Sequence, residues 1–170
     1  MSGIMLDCEN RLNAAEHFLE RARDQSLSEP QHVWYAQATV IFAIAALENL
    51  MYDYAERKTG KSLKRTKLTR NDFRRMSCTA FCDWLKQQEG QSCLYHFLRT
   101  ERNLIVHRGE PPKKVKLVIS QPLGSGEATW TATHYFEGWE RESIDHACKS
   151  LIQWAEGVIK QAKSRYPELA

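Results

Sequence analysis

The stretch RNLIVHRGE, Arg102 to Glu110, sets an arginine, an asparagine and a histidine within six residues, just before a glycine. These are the residue types that metal-free cleavage of RNA requires. A base must take the proton of the 2′-hydroxyl as it attacks phosphorus, and an acid must protonate the departing 5′-oxygen. Histidine titrates near neutrality and suits both tasks. The charge that builds on the phosphorane needs a permanent cation in fixed geometry, and a guanidinium offers two parallel hydrogen bonds to phosphate oxygens. Arg102 and His107 are therefore the candidate catalytic pair, with Asn103 beside them. The bland alternative is that Arg102 pairs with a surface carboxylate and His107 caps a helix end, where the dipole favours it.

All three residues fall on one predicted helix, with Ser92 as its cap and Gly109 as its stop. At about 100° per residue, Leu94, Phe97, Leu98, Leu104 and Ile105 make the side that packs. Asn103 and His107 lie one turn apart on the opposite side with His96, and Arg99 falls beside them. Arg102 is on the flank, about 140° from His107 by the same geometry, so one helix supplies half a site. A two-fold homodimer across the face of His96, Arg99, Asn103 and His107 would bring in a second imidazole and a second guanidinium. Further support comes from VIFAIAALENLMYDYA, which is apolar nearly all round and marks the most buried helix of a bundle. Glu48 and Asn49 within it must be hydrogen-bonded or face a cleft, because an unpaired buried carboxylate is costly. A structural network and a site-lining role both remain open for this pair.

Charge is concentrated in one place. The formal total is +3, but positions 57–75 carry nine basic residues against the single acid Asp72, a net of +8 that leaves −5 for the rest. A block this basic, running past the helix-stopping Gly60, predicts a loop facing solvent. Lys61, Lys64, Arg65, Lys67 and Arg70 are its candidate RNA-binding residues, since counterion release lets such a loop hold phosphates without reading sequence. Phe73 is the one aromatic there, too few for a base-stacking platform. A merely solvated loop is the competing reading.

The remaining elements follow from periodicity and caps. A first helix is predicted from about Asp7 to Asp24 on the spacing of Leu12, Ala15, Leu19 and Ala22, and a second from Pro30 to about Arg57. Ser77 or Thr79 can cap a short helix that ends at Gly90. After Pro111 and Pro112, KVKLVIS and ATWTATHYF alternate about PLGSG, which predicts a β-hairpin over about 113–137. The last helix is predicted from about Glu140 to Ser164. The expected fold is all-α: a single domain, 1–170, forming an up-and-down bundle of four to five helices with a β-hairpin inserted before the last one.

An arginine, a polar residue, three apolar residues and a histidine near the end of the penultimate helix of an α-bundle resemble the HEPN superfamily (higher eukaryotes and prokaryotes nucleotide-binding), whose hallmark is arginine, four to six residues, histidine. Arg102 and His107 match the hallmark, and Asn103 matches the polar residue that often follows the arginine. The bare spacing also occurs at Arg11 to His17 and Arg141 to His146, but neither has the Arg-Asn start, the apolar triplet or a helix end. The resemblance covers most of the helical part of the chain and leaves the hairpin outside. It implies a metal-independent endoribonuclease that works as a dimer and leaves a 2′,3′-cyclic phosphate, a toxin or defence component whose partner is a small nucleotidyltransferase antitoxin. A silent HEPN-like module that binds RNA or protein is the alternative. Some toxin members carry a tyrosine two positions after the histidine; Gly109 stands there in this chain, so regulation through that tyrosine is not supported.

Other chemistry is less well supplied. Cys78, Cys82, Cys93 and His96 read as C-x3-C-x10-C-x2-H, superficially a zinc pattern, but the cysteines fall on predicted helices without a knuckle glycine and are expected to be buried thiols. No Gly-rich phosphate loop is present, so no metal or cofactor is expected. With 170 residues, 42% hydrophobic and 26% charged, the chain has enough apolar material for one sizeable core. No uninterrupted apolar run reaches the roughly 18 residues of a membrane span, and MSGIMLDCEN lacks the basic start and apolar middle of a secretory signal. Five cysteines, an odd number, suit reduced thiols. The expectation is a cytoplasmic protein without a membrane partner.

Overall fold

The computed structural model describes residues 6–24, 27–63, 68–108, 115–120 and 131–170; at positions 29, 104, 105, 107, 108, 115–120, 131 and 132 it describes the backbone alone. The described chain is mostly helical, an all-α fold. Helix α1 (Asp7–Ala22) buries Cys8, Leu12, Ala15 and Leu19, one stripe at helical spacing. Helix α2 (Glu29–Thr59) starts with Pro30 in its first turn and Ser28 as its cap, whose amide donates to the Gln31 side chain at 2.9 Å. It ends where Gly60 takes a left-handed φ of 66°, a conformation that a residue with a β-carbon adopts at a cost.

Between α2 and α4 (Thr79–Gly90) the structure corrects the two ends of the solvent-facing basic loop expected over 57–75, while Lys61 is exposed outside any helix and positions 64–67 lie outside the described residues. Arg57 and Lys58 belong to the last turn of α2, and Arg70–Phe73 forms a short helix, α3, that continues through a π-helical turn at Arg74–Cys78. The cause is a capping box that charge counting passes over. The Thr69 amide and hydroxyl donate to Asp72 at 2.8 and 2.6 Å, and those bonds hold the Asp72 carboxyl below its ordinary pKa. Ser77 caps nothing here; it takes a left-handed φ of 61° in the kink before α4.

Helix α5 (Cys93–Arg108) follows, with the Ser92 hydroxyl accepting from the Tyr95 amide at 3.1 Å. Strands β1 (Val115–Ser120) and β2 (Thr131–Phe136) pair antiparallel, Val115 opposite Phe136 and Ser120 opposite Thr131; the expected turn between them lies outside the described residues. Helix α6 (Ile144–Arg165) starts later than expected, because the chain turns at 137–142 before Ser143 accepts from the His146 amide. In the turn Gly138 has φ of 88°, and a β-carbon there would stand 3.3 Å from the Phe97 ring of α5, on which Trp139 stacks at 5.4 Å.

The core gathers around α2, which packs against α1, α5 and α6 and buries Ala43, Ile44, Leu47 and Leu50. α6 contributes Cys148, Leu151, Ala155, Val158 and Ala162. Averaged over a window, Pro30–Thr59 is long and apolar enough to cross a membrane by length and composition. Polar residues break every uninterrupted run within it, whereas an average over a window tolerates them. Nearly half of that window, 44%, is buried among the neighbouring helices.

One buried polar contact joins the first helix to this centre. α1 has leucine at its cap position, so the Asp53 carboxylate, 4% exposed on α2, accepts from the Cys8 amide at 2.8 Å in its place. The neighbouring carboxylate and burial push the Cys8 thiol well above its ordinary pKa. Replacing Asp53 with alanine leaves a buried amide without an acceptor and is expected to cost about 1–3 kcal/mol of unfolding free energy in urea. Asp53→Asn keeps an acceptor and should lose less; equal losses would contradict the cap.

Candidate functional site

Glu48 lies midway along α2 and Arg102 near the end of α5, two helices in contact. Their side chains meet in a two-pronged pair, with Arg102 Nη1 donating to Glu48 Oε1 at 3.2 Å and Nη2 to Oε2 at 2.8 Å. Nη1 also donates to Asn103 Oδ1 at 3.0 Å. The arginine side chain is 12% exposed and the glutamate 38%, so the cation sits deeper than its partner. A guanidinium has five N–H donors, and the three bonds it makes among the described residues leave two. One of these, Nε–H, is buried without a partner. Glu48 meets both roles left open for it, hydrogen-bonded to Arg102 and lining the cleft.

A second ion cluster shares the same cleft. Glu89, 6% exposed in the last turn of α4, is gripped by Arg70 from α3 and faces Arg99 of α5 at 3.5 Å. The Arg99 guanidinium lies over the Tyr95 ring, 5.7 Å from its centroid. Burial, with Glu89 adding to it, raises the Tyr95 hydroxyl well above its usual pKa. Glu48, Arg70, Glu89, Arg99 and Arg102 line one wall of a cleft of about 390 Å³, with Met51 and Phe73 among its apolar side. Three guanidinium groups against two carboxylates leave the wall net positive.

The other candidates are scattered. Asn49 is half-buried on α2 and is not part of the cleft lining, and His96 is exposed on α5. His107 is in α5, five residues beyond Arg102, and its side chain lies outside the described residues. Lys61 is exposed just after Gly60; Lys64, Arg65 and Lys67 lie outside the described residues. Arg70, expected on a solvent loop, is instead half-buried in the cleft. Other charges of the basic block are also engaged internally, Arg74 with Asp83 at 2.6 Å and Arg57 with the Ala170 carbonyl at 3.0 Å. Glu89 and Tyr95 went unnoticed in the sequence. An acid in the last turn of a helix, where the dipole disfavours it, is the signal by which Glu89 could have been found.

Cys78 and Cys82 are buried while Cys93 and His96 are exposed, and among the described residues no three metal-ligating side chains converge. A second cavity, about 400 Å³, opens between α1, α2, β2 and the start of α6. Several of its polar groups are committed to the fold: His32 Nδ1 to the Ala22 carbonyl at 2.6 Å, Asp145 to Arg23, and Ser143 to its own helix. The arginine-lined cleft is the better candidate because its donors are in part unspent. No family model matches the chain, and no curated protein or solved structure matches it either.

The Glu48–Arg102 contact is open to direct measurement. In a double-mutant cycle of Glu48→Gln and Arg102→Gln, unfolding in urea is expected to give a coupling of about 0.5–3 kcal/mol. Strictly additive losses would show that the two side chains do not hold each other.

Proposed function

We propose that the protein is a metal-independent endoribonuclease of HEPN type. The reading is carried by Arg102, held by Glu48 and Asn103 beside an open, net positive cleft, with His107 on the same helix. In this scheme the 2′-oxygen of the substrate forms a bond to phosphorus and the bond to the 5′-oxygen breaks. The 2′-hydroxyl proton passes to one His107 imidazole, and the leaving oxygen takes a proton from another. Arg102 holds a non-bridging oxygen through the one Nη2 donor that Glu48 leaves unspent, its Nε–H being buried. The products are a 2′,3′-cyclic phosphate and a free 5′-hydroxyl.

Two imidazoles call for two copies of the chain. A two-fold homodimer across the α5 face that carries His96, Arg99, Asn103 and His107 meets that need, and Val106, 48% exposed on the same helix, gives such an interface apolar area. The finer architecture belongs to the same proposal: an up-and-down bundle of four to five helices, with the β-pair as a hairpin before the last. So do a cytoplasmic toxin or defence role and a nucleotidyltransferase antitoxin partner.

A second reading, a silent module that binds RNA or protein, is favoured by one observation: the Arg102 charge is already neutralised by Glu48. The two are separated by incubating purified protein with mixed RNA in EDTA and analysing the cut ends. Wild type is expected to leave 2′,3′-cyclic phosphate, and His107→Ala to cut at least a hundredfold more slowly with an unchanged circular dichroism spectrum. Cleavage that depends on added metal, or none at all, would remove the nuclease reading. Sedimentation should give a dimer; a 19.7 kDa monomer that still cuts would remove the two-fold site.

A further inference from the structure

Glu89 is badly placed for a residue that serves stability alone. It is a carboxylate in the last turn of a helix, where the dipole opposes it, and it is almost wholly removed from water. Replacing a buried ion cluster with well-packed apolar residues is often neutral or stabilising, so a cluster retained beside a cleft points to work done there. Two cations answer this one anion. Arg70 donates a single hydrogen bond to it among the described residues, and Arg99 makes only the 3.5 Å ion pair. Most of the N–H donors on both guanidinium groups are therefore unspent. Neither side chain is sealed off, with 27% of Arg70 and 37% of Arg99 exposed, and both line the cleft that holds Arg102. Arg99 lies over the buried Tyr95 ring, and Arg70 stands on the helix that Thr69 and Asp72 cap.

Arg99 and Arg102 are separated by about 4.5 Å along the α5 axis. The two guanidinium groups answer different carboxylates, Arg102 that of Glu48 and Arg99 that of Glu89, so they stand at two separate points of the cleft. The apolar side of the cleft suits a ribose or base between them.

We propose that Arg70 and Arg99, splayed from the buried Glu89 carboxylate, form a phosphate subsite for a single-stranded nucleic acid, one backbone position away from the phosphate at Arg102. The subsite rests on the reading of the cleft as the place where RNA lies, but it requires no cleavage. Glu89 is its positioning residue: it holds two guanidinium groups at one point without spending their donors. The chemistry recognised is the phosphodiester, not the base, so the subsite adds affinity and register and no sequence preference.

The test uses the full-length protein and a strand that cannot be cut, an oligonucleotide with 2′-deoxy sugars, whose binding is followed by fluorescence anisotropy over a range of salt. For a single strand each phosphate contact contributes about 0.7 to the slope of log affinity against log salt. Arg99→Gln is expected to lower the slope by about 0.7 and Arg75→Gln, on an exposed side chain outside the cleft, to leave it unchanged. Loss of Arg99 also unbalances Glu89, so the substitution is repeated in a Glu89→Gln background, where no buried charge is left unanswered. A fall of about 0.7 in the wild-type background that becomes smaller, but does not vanish, once Glu89 no longer positions the guanidinium supports the subsite; a fall of the same size in both backgrounds overturns the positioning role of Glu89. An unchanged slope in both backgrounds, or no binding of the strand by wild type, overturns the subsite itself. A nucleoside monophosphate binding as tightly as the strand, with the same dependence on Arg99, would overturn the assignment to a strand. Since nothing is cleaved in this experiment, failure of the nuclease reading and failure of the subsite register separately.

Discussion

A carboxylate in the middle of the most apolar helix obliges the rest of the bundle to answer it. Glu48 lies one residue from the fully buried Leu47 and two from Leu50, and its partner must arrive from another element because α2 offers no cation nearby. Arg102 answers from α5. An exposed ion pair contributes about 0–1 kcal/mol and the loss of one partner from a buried pair costs about 3–5 kcal/mol; a contact with one side 12% exposed and the other 38% falls between. Its larger effect is on geometry. The fork fixes where the end of α5 stands relative to α2, and with it the backbone positions of Asn103 and His107.

Much of the helical frame was legible because caps and stops are local signals. Pro30, Gly60, Ser92 and the spacing of Leu12, Ala15 and Leu19 each act within one or two turns, so a reader of the sequence meets all the physics involved. The basic segment misled for the opposite reason. Its net charge is a property of the whole block, while its conformation is set by Thr69 and Asp72 three positions apart and by acids at 83 and 89, beyond its end. Charge density says that a segment meets water or an anion; it does not say that the anion comes from outside.

The site was legible as residue types and not as directions. A helical wheel placed Arg99 with His107 and left Arg102 on the flank, yet Arg99 and Arg102 both reach the same cleft. Long side chains depart from the angle of their own backbone when a carboxylate stands within reach, and Glu48 is 54 residues from Arg102 while Glu89 sits on the preceding helix. Tyr95 was unreadable for a related reason: one tyrosine among six becomes the seat of a guanidinium only once the helices have packed.

The turn at Gly138 ties the two strands to the helix that bears Arg102. A side chain at this position meets two obstacles at once, a φ of 88° that favours glycine and the Phe97 ring at 3.3 Å. Accommodating one would slide Trp139 off Phe97, and that stack is where the segment leading out of β2 leans on α5. The aromatic pair thus couples the strands to the cleft: a displacement of the segment that leaves β2 reaches α5 at Phe97, five residues before Arg102.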